Sequence, residues 1–144
     1  LEALLRAAHG WVAGGAFQGV RVSTRPDALD EERLSVMSRY GVATVELGVQ
    51  SMDDEVLRRS LRGYTSEKVE EAVKDLRRFG FRVGIQLMPG LPGDSDIRFL
   101  ETVNRCLALR PDASLPLPTC RRFEREASLV GSATSEDIFV ICLG

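Results

Sequence analysis

The chain has 144 residues, 44% of them hydrophobic and 28% charged, with a formal net charge of −2. That balance fits one packed globular domain and excludes wholesale disorder, a collagen-like repeat and a strongly basic nucleic-acid binder. A whole eight-stranded (β/α) barrel is excluded as well, because that fold takes about 250 residues; a barrel-like chain of this length is a piece of one.

Residues 1–8 place Leu1, Leu4, Leu5 and Ala8 at helical spacing, and Gly10 with the pair Gly14 and Gly15 is expected to end that helix. The β-branched run Gly19-Val20-Arg21-Val22-Ser23 reads as a strand, stopped by Pro26. Asp30 is a helix N-cap with Glu31 and Glu32 behind it, and the helix runs to Gly41. Residues 42–49 are apolar apart from Glu46, as in a buried parallel strand. A short helix over 53–61 follows, then a longer one from Ser66 with Val69, Ala72, Val73, Leu76 and Phe79 on one face. Residues 81–87 form the next strand. After the turn Pro89-Gly90-Leu91-Pro92-Gly93, a helix over 95–109 sets Ile97, Leu100, Val103 and Leu107 on one side. This alternation predicts βαβ units and a parallel sheet. Beyond Pro111 the rhythm breaks. Pro116 and Pro118 argue against a central strand there, and the run 138–143 has strand propensity.

Cys106, Cys120 and Cys142 are odd in number and widely spaced, so a reducing compartment, the cytoplasm, is expected rather than a disulfide framework. No run of 18 apolar residues marks a membrane span. The segment before Ala8 reads like the middle of a helix, which suggests a chain that starts inside a larger protein.

In parallel α/β folds the chemistry gathers at the carboxyl ends of the strands. Those ends offer Ser23, Thr24 and Arg25, then Gln50 and Ser51, then Gln86 and the turn with Gly90 and Gly93. Each set has a plain structural role open to it as a helix cap or turn. Their convergence on one crevice favours function. No phosphate loop and no G-x-G-x-x-G motif is present. His9, the one histidine, suits the end of a helix. Cys106 reads as a small buried residue, and Asp53, Asp54 and Glu55 as helix-start acids.

Three motifs in order, Val45-Glu46-Leu47-Gly48-Val49-Gln50-Ser51, Leu61-Arg62-Gly63-Tyr64-Thr65 and Leu87-Met88-Pro89-Gly90-Leu91-Pro92-Gly93, resemble the radical S-adenosylmethionine (radical SAM) superfamily. The likeness is strongest to the group containing the radical SAM subunit of Elongator, and the opening Val22-Ser23-Thr24-Arg25-Pro26-Asp27 fits that group too. The resemblance implies an α/β fold, a partial (β/α) TIM-type barrel with parallel strands. It also implies a [4Fe–4S] cluster held by a C-x-x-x-C-x-x-C loop, with SAM cleaved to a 5′-deoxyadenosyl radical. By the same resemblance Gln50 and Arg62 match positions that contact SAM, Ser23 or Arg25 a polar contact on the preceding strand, and Gln86 a polar position near the nucleoside. Gly90 and Gly93 would shape the loop beside adenine.

Neither the cluster motif nor a Gly-Gly-Glu-like motif for the SAM amino group is in this chain. The expectation is therefore residues 1–112 as the C-terminal portion of a radical SAM core and 113–144 as a divergent tail, as a frameshift or truncation would leave. No residue is expected to serve as a catalytic group or a metal ligand. The parent would be an enzyme, with tRNA or another macromolecule as substrate, and the isolated chain inactive. The exposed edges of such a half-barrel invite self-association. Two rivals stand beside this reading: a non-catalytic α/β binding module, and a fragment of a different (β/α) barrel enzyme.

Overall fold

The computed structural model describes residues 1–116 and 138–142. In chain order these form α1 (Glu2–Ala13), β1 (Gly19–Thr24), a 3-10 turn (Pro26–Ala28), α2 (Glu31–Arg39), β2 (Val42–Gln50), α3 (Asp54–Arg59), α4 (Ser66–Arg78), β3 (Arg82–Leu87), α5 (Asp96–Ala108), β4 (Ala113–Pro116) and β5 (Ile138–Cys142). The strands make one parallel sheet in the order β4-β3-β2-β1-β5.

Local chemistry starts the helices where the sequence says they start. The Asp30 carboxylate accepts the Arg33 N–H at 2.8 Å, and the Asp53 carboxylate accepts those of Glu55 and Val56. Thr65 and Ser95 do the same for α4 and α5. Such caps contribute about 1 kcal/mol each. Gly41 and Gly80 follow α2 and α4 at φ +70° and +82°, a region open to glycine at little cost.

Packing then decides which face of the sheet is which. Val45, Leu47 and Val49 of β2 are wholly buried, and β1 adds Val20 and Val22 and β3 adds Val83, Ile85 and Leu87. Against this surface lie Leu5 of α1, Leu34 and Met37 of α2, Leu57 of α3, Leu76 of α4 and Cys106 of α5, in one continuous core. All five helices thus cover the same face. A doubly wound sheet carries helices on both, whereas a barrel segment carries them on the outside alone. The opposite face, a barrel's interior, takes the alternate residues: Arg21 and Ser23, Thr44, Glu46 and Gly48, and Gly84 and Gln86.

Two expectations change. First, α1 runs through Gly10 to Ala13, so His9 lies inside the helix instead of at its end. Its Nδ1 stands 3.2 Å from the Tyr40 carbonyl, a contact between helices. Second, α5 is rotated from its expected phase. Ile97, Leu100 and Leu107 are 71%, 61% and 58% exposed, while Thr102 and Cys106 are buried and Phe99, Val103 and Leu109 pack on the core. Polar anchors set that rotation. The Thr102 hydroxyl meets Ser51 Oγ and the Met52 N–H, and Arg98 pairs with Asp53.

Two others hold: β4 is an edge strand and not a central one, as its Pro116 requires. The run with strand propensity does form a strand: the backbone of β5 pairs in parallel with β1, at the far edge of the sheet. The charge cluster 121–125 and the polar stretch 128–135 lie outside the described residues.

Candidate functional site

The polar face is organised around Glu46. This carboxylate is 6% exposed, in the middle of β2. Its Oε1 accepts from Arg21 Nη1 and its Oε2 from Gln86 Nε2, both at 2.7 Å, so one side chain ties three strands together. Gly84, its register partner on β3, makes the room: a Cβ there would stand 2.9 Å from Glu46 Cγ. An ionised carboxylate only accepts hydrogen bonds, so Gln86 must offer it the NH2 group. The Gln86 carbonyl oxygen then faces away from Glu46. Ser23, the register partner of Glu46 on β1, is half-buried beside it.

At the carboxyl end of the sheet the backbone leaves regular geometry. Gln50 has φ +68°, and the β2–β3 register shifts between Gly48 and Gln50. A side chain bearing a Cβ strains at that φ. The Gln50 amide folds back over Gly48, where an added Cβ would lie 2.9 Å from Nε2. Gln50 is 7% exposed, and its side-chain carbonyl oxygen is buried without a partner. Its main-chain carbonyl accepts the Met88 N–H at 3.0 Å, which joins the ends of β2 and β3.

The segment between α3 and α4 closes over this end. The Tyr64 hydroxyl donates to the Gly48 carbonyl at 2.8 Å and lies 3.3 Å from that of Val49. Burial pushes the pKa of that hydroxyl up, so it stays protonated. Arg62 reaches Met88, with Nη2 3.6 Å from the sulfur, and its Nε is buried without a partner. Arg25, at the end of β1, holds Asp27 through two hydrogen bonds and donates to the Arg62 carbonyl at 2.6 Å. Its guanidinium also lies 5.6 Å from the Tyr64 ring centroid. The bonds to Asp27 raise its pKa further.

Of the anticipated residues, the structure therefore gathers Arg25, Gln50 and Arg62 at one mouth. Gln86 stands one register step below, beside Gly48, and Ser23 shares its face. Gly90 serves the turn after β3, with φ +77° and its N–H bonded to Asp94. The space over Gly93 is filled by Arg59, whose Cδ would be 2.7 Å from an added Cβ.

Glu46, Arg21 and Tyr64 are the participants that sequence reasoning missed. The signal for Glu46 was present: the one charge in an apolar strand, in alternation with Gly48 and Gln50. On the helix side a hollow of about 410 Å³ lies between α3 and α5, where both arginines of the lining are engaged, Arg98 with Asp53 and Arg105 with the Met52 carbonyl and with Glu70. Among the described residues no group of three or more His, Cys, Asp or Glu side chains could hold a metal, and no helix is long and apolar enough to cross a membrane.

Comparison with known proteins shows what the chain is similar to. The family model of the Radical SAM superfamily matches residues 1–106. A tRNA uridine(34) acetyltransferase of Methanocaldococcus infernus is 40% identical over 74 residues, which are 51% of this chain and 14% of the relative. Elongator complex protein 3 of Homo sapiens is 36% identical over 104 residues, 70% of this chain and 19% of the relative. The chain thus spans less than a fifth of either. Among solved structures, Elp3 of Methanocaldococcus infernus superposes with a TM-score of 0.66 at 32% identity, covering 69% of this chain and 24% of that one. Coproporphyrinogen III oxidase of Escherichia coli, at 20% identity, shares the fold with a TM-score of 0.61 over 83% of this chain and 29% of its own.

Proposed function

The chain belongs to the radical SAM superfamily, and from that premise we propose that it supplies the SAM-holding wall of a [4Fe–4S]- and SAM-dependent enzyme acting on a tRNA uridine. The observation that carries this reading is the pair of buried polar atoms left without partners, Gln50 Oε1 and Arg62 Nε, at the mouth where β2 and β3 end. An unpaired buried polar group costs about 1–3 kcal/mol, which a ligand recovers by completing it.

SAM fits these residues. Its ammonium and ribose hydroxyls are donors for an amide oxygen, and its carboxylate is an acceptor for a guanidinium. Gln50 and Gln86 would offer the acceptors, Ser23 a hydroxyl on the same face, and Arg62 the charge. Arg25 would act on Arg62 through its main chain, with three of its five donors committed to Asp27 and to that carbonyl. Bound SAM supplies a sulfonium centre with a cleavable carbon–sulfur bond. The chain's own residues bind and orient it, and the floor of Glu46, Arg21 and Gln86 keeps the amide of Gln86 in one sense.

A cluster does not fit the described residues. Cys106 is buried, and burial pushes its thiol up to about 12, far from the thiolate a metal requires. We assign the cluster to other parts of a longer, cytoplasmic parent and hold the isolated chain to be inactive. The tRNA substrate rests on the likeness to the uridine(34) acetyltransferases. Anaerobic reconstitution with iron and sulfide, read in the visible cluster bands, tests the cluster assignment. We expect no stoichiometric signal; one cluster per chain overturns the assignment. Equilibrium dialysis with SAM tests the wall. Gln50→Ala and Arg62→Ala should each weaken binding about tenfold, and binding indifferent to both overturns the reading.

A further inference from the structure

The segment between α3 and α4 carries more than Arg62. Tyr64 is 8% exposed, and its hydroxyl donates to the main chain of β2 at Gly48, two residues before the strained Gln50. Its oxygen is also 3.3 Å from the Val49 carbonyl. The Ser51 N–H folds back onto that same carbonyl at 2.8 Å, so Val49 closes a tight turn around Gln50. From the other side the Gln50 carbonyl is held by Met88.

A non-glycine residue stays at positive φ only when its surroundings over-determine it. Here those surroundings are few: the Met88 N–H, the Ser51 turn and the Tyr64 hydroxyl. Met88 and Ser51 belong to the strand ends themselves. Tyr64 alone comes from the segment that carries Arg62, and Arg25 presses on both, through its bond to the Arg62 carbonyl and its position near the Tyr64 ring.

We propose that Tyr64 is a positioning residue: its hydroxyl pins the bulged end of β2 so that the Gln50 amide faces the same ligand as Arg62. Removing one hydroxyl then unpins Gln50 while the ring, the core around it and the Arg25 contact remain. The proposal rests on the SAM-wall reading for the ligand's identity, but the pinning itself is a property of the chain.

The test is a cycle of four proteins, wild type, Tyr64→Phe, Gln50→Ala and the double variant, in two measurements. Equilibrium dialysis with SAM should find Tyr64→Phe weakened about fivefold to tenfold, the scale of one lost hydrogen bond. In the Gln50→Ala background the same change should have no further effect, because Tyr64 acts through Gln50. Equal affinity of Tyr64→Phe and wild type, or losses that multiply in the double variant, overturns the proposal.

Amide hydrogen exchange needs no ligand. Tyr64→Phe should speed exchange at Ser51 and Met88 about tenfold, with the amides of β1 and α4 unchanged. Unchanged rates at Ser51 and Met88, or a uniform rise across the chain, overturns the pinning. If wild-type protein takes up no SAM, the SAM-wall reading falls, and the exchange rates alone decide the role of Tyr64.

Discussion

The two faces of β2 carry opposite chemistry on consecutive residues. Val45, Leu47 and Val49 are wholly buried, and their side chains join the apolar core under the helices. Glu46, Gly48 and Gln50, which alternate with them, form a polar wall with one satisfied carboxylate, one cleared space and one strained amide. The helix face is built for stability. The other face gives stability up: it keeps an unpaired buried acceptor and a left-handed backbone that a purely structural sheet would lack. Such local costs gather at functional sites.

The comparison can be broken most forcefully from the helix side. Leu47→Ala should destabilise the chain by about 2–5 kcal/mol, the range for leucine deletions in a tight core. A urea titration measures it, and a loss under 1 kcal/mol would mean that the helices are not packed on this face. Next comes Glu46→Ala, which strips Arg21 and Gln86 of their shared acceptor. Fully buried pairs lose about 3–5 kcal/mol when one partner goes. The Arg21 side chain is 25% exposed, and water there softens the loss to about 2 kcal/mol.

A change at Gln50 should go the other way. Gln50→Gly relieves positive φ and removes the orphaned amide oxygen, so it should raise stability by about 1 kcal/mol while weakening SAM binding. A variant that loses both would show that Gln50 holds the fold and not the ligand. Smaller still is the alkaline limb of stability. Burial raises the Tyr64 pKa above its unfolded value, so above about pH 10 the unfolded chain releases the proton first and stability falls as pH rises. Tyr64→Phe should flatten that limb in unfolding midpoints measured from pH 9 upward.

Last, iodoacetamide at neutral pH should leave Cys106 unmodified in the native protein and label it after denaturation, because its thiol is pushed up to about 12. Peptide mapping by mass spectrometry reads this directly.

Much of the scaffold was legible because local chemistry wrote it. Asp30, Asp53, Thr65 and Ser95 cap the helices they precede, and the apolar runs of β2 and β3 mark buried parallel strands. What could not be read was set by distant contacts. The phase of α5 depends on Thr102 meeting Ser51 and Arg98 meeting Asp53, partners about fifty residues apart. Periodicity alone turned Ile97 and Leu100 inward. The site divides the same way. Strand ends pointed to Gln50 and the family resemblance to Arg62, whereas the carboxylate that fixes Gln86 and the tyrosine beneath Gln50 emerge only once three strands and a loop are assembled.

On the proposed function, the polar wall and not the hollow between α3 and α5 receives SAM. Titrating isotopically labelled protein with SAM and following backbone and side-chain amide resonances tests it most directly. Saturable shifts are expected at Gln50, Arg62, Gln86 and Met88, with the Gln50 side-chain amide among the largest. Shifts centred instead on Asp53, Arg98 and Arg105, or none at saturating SAM, would contradict it.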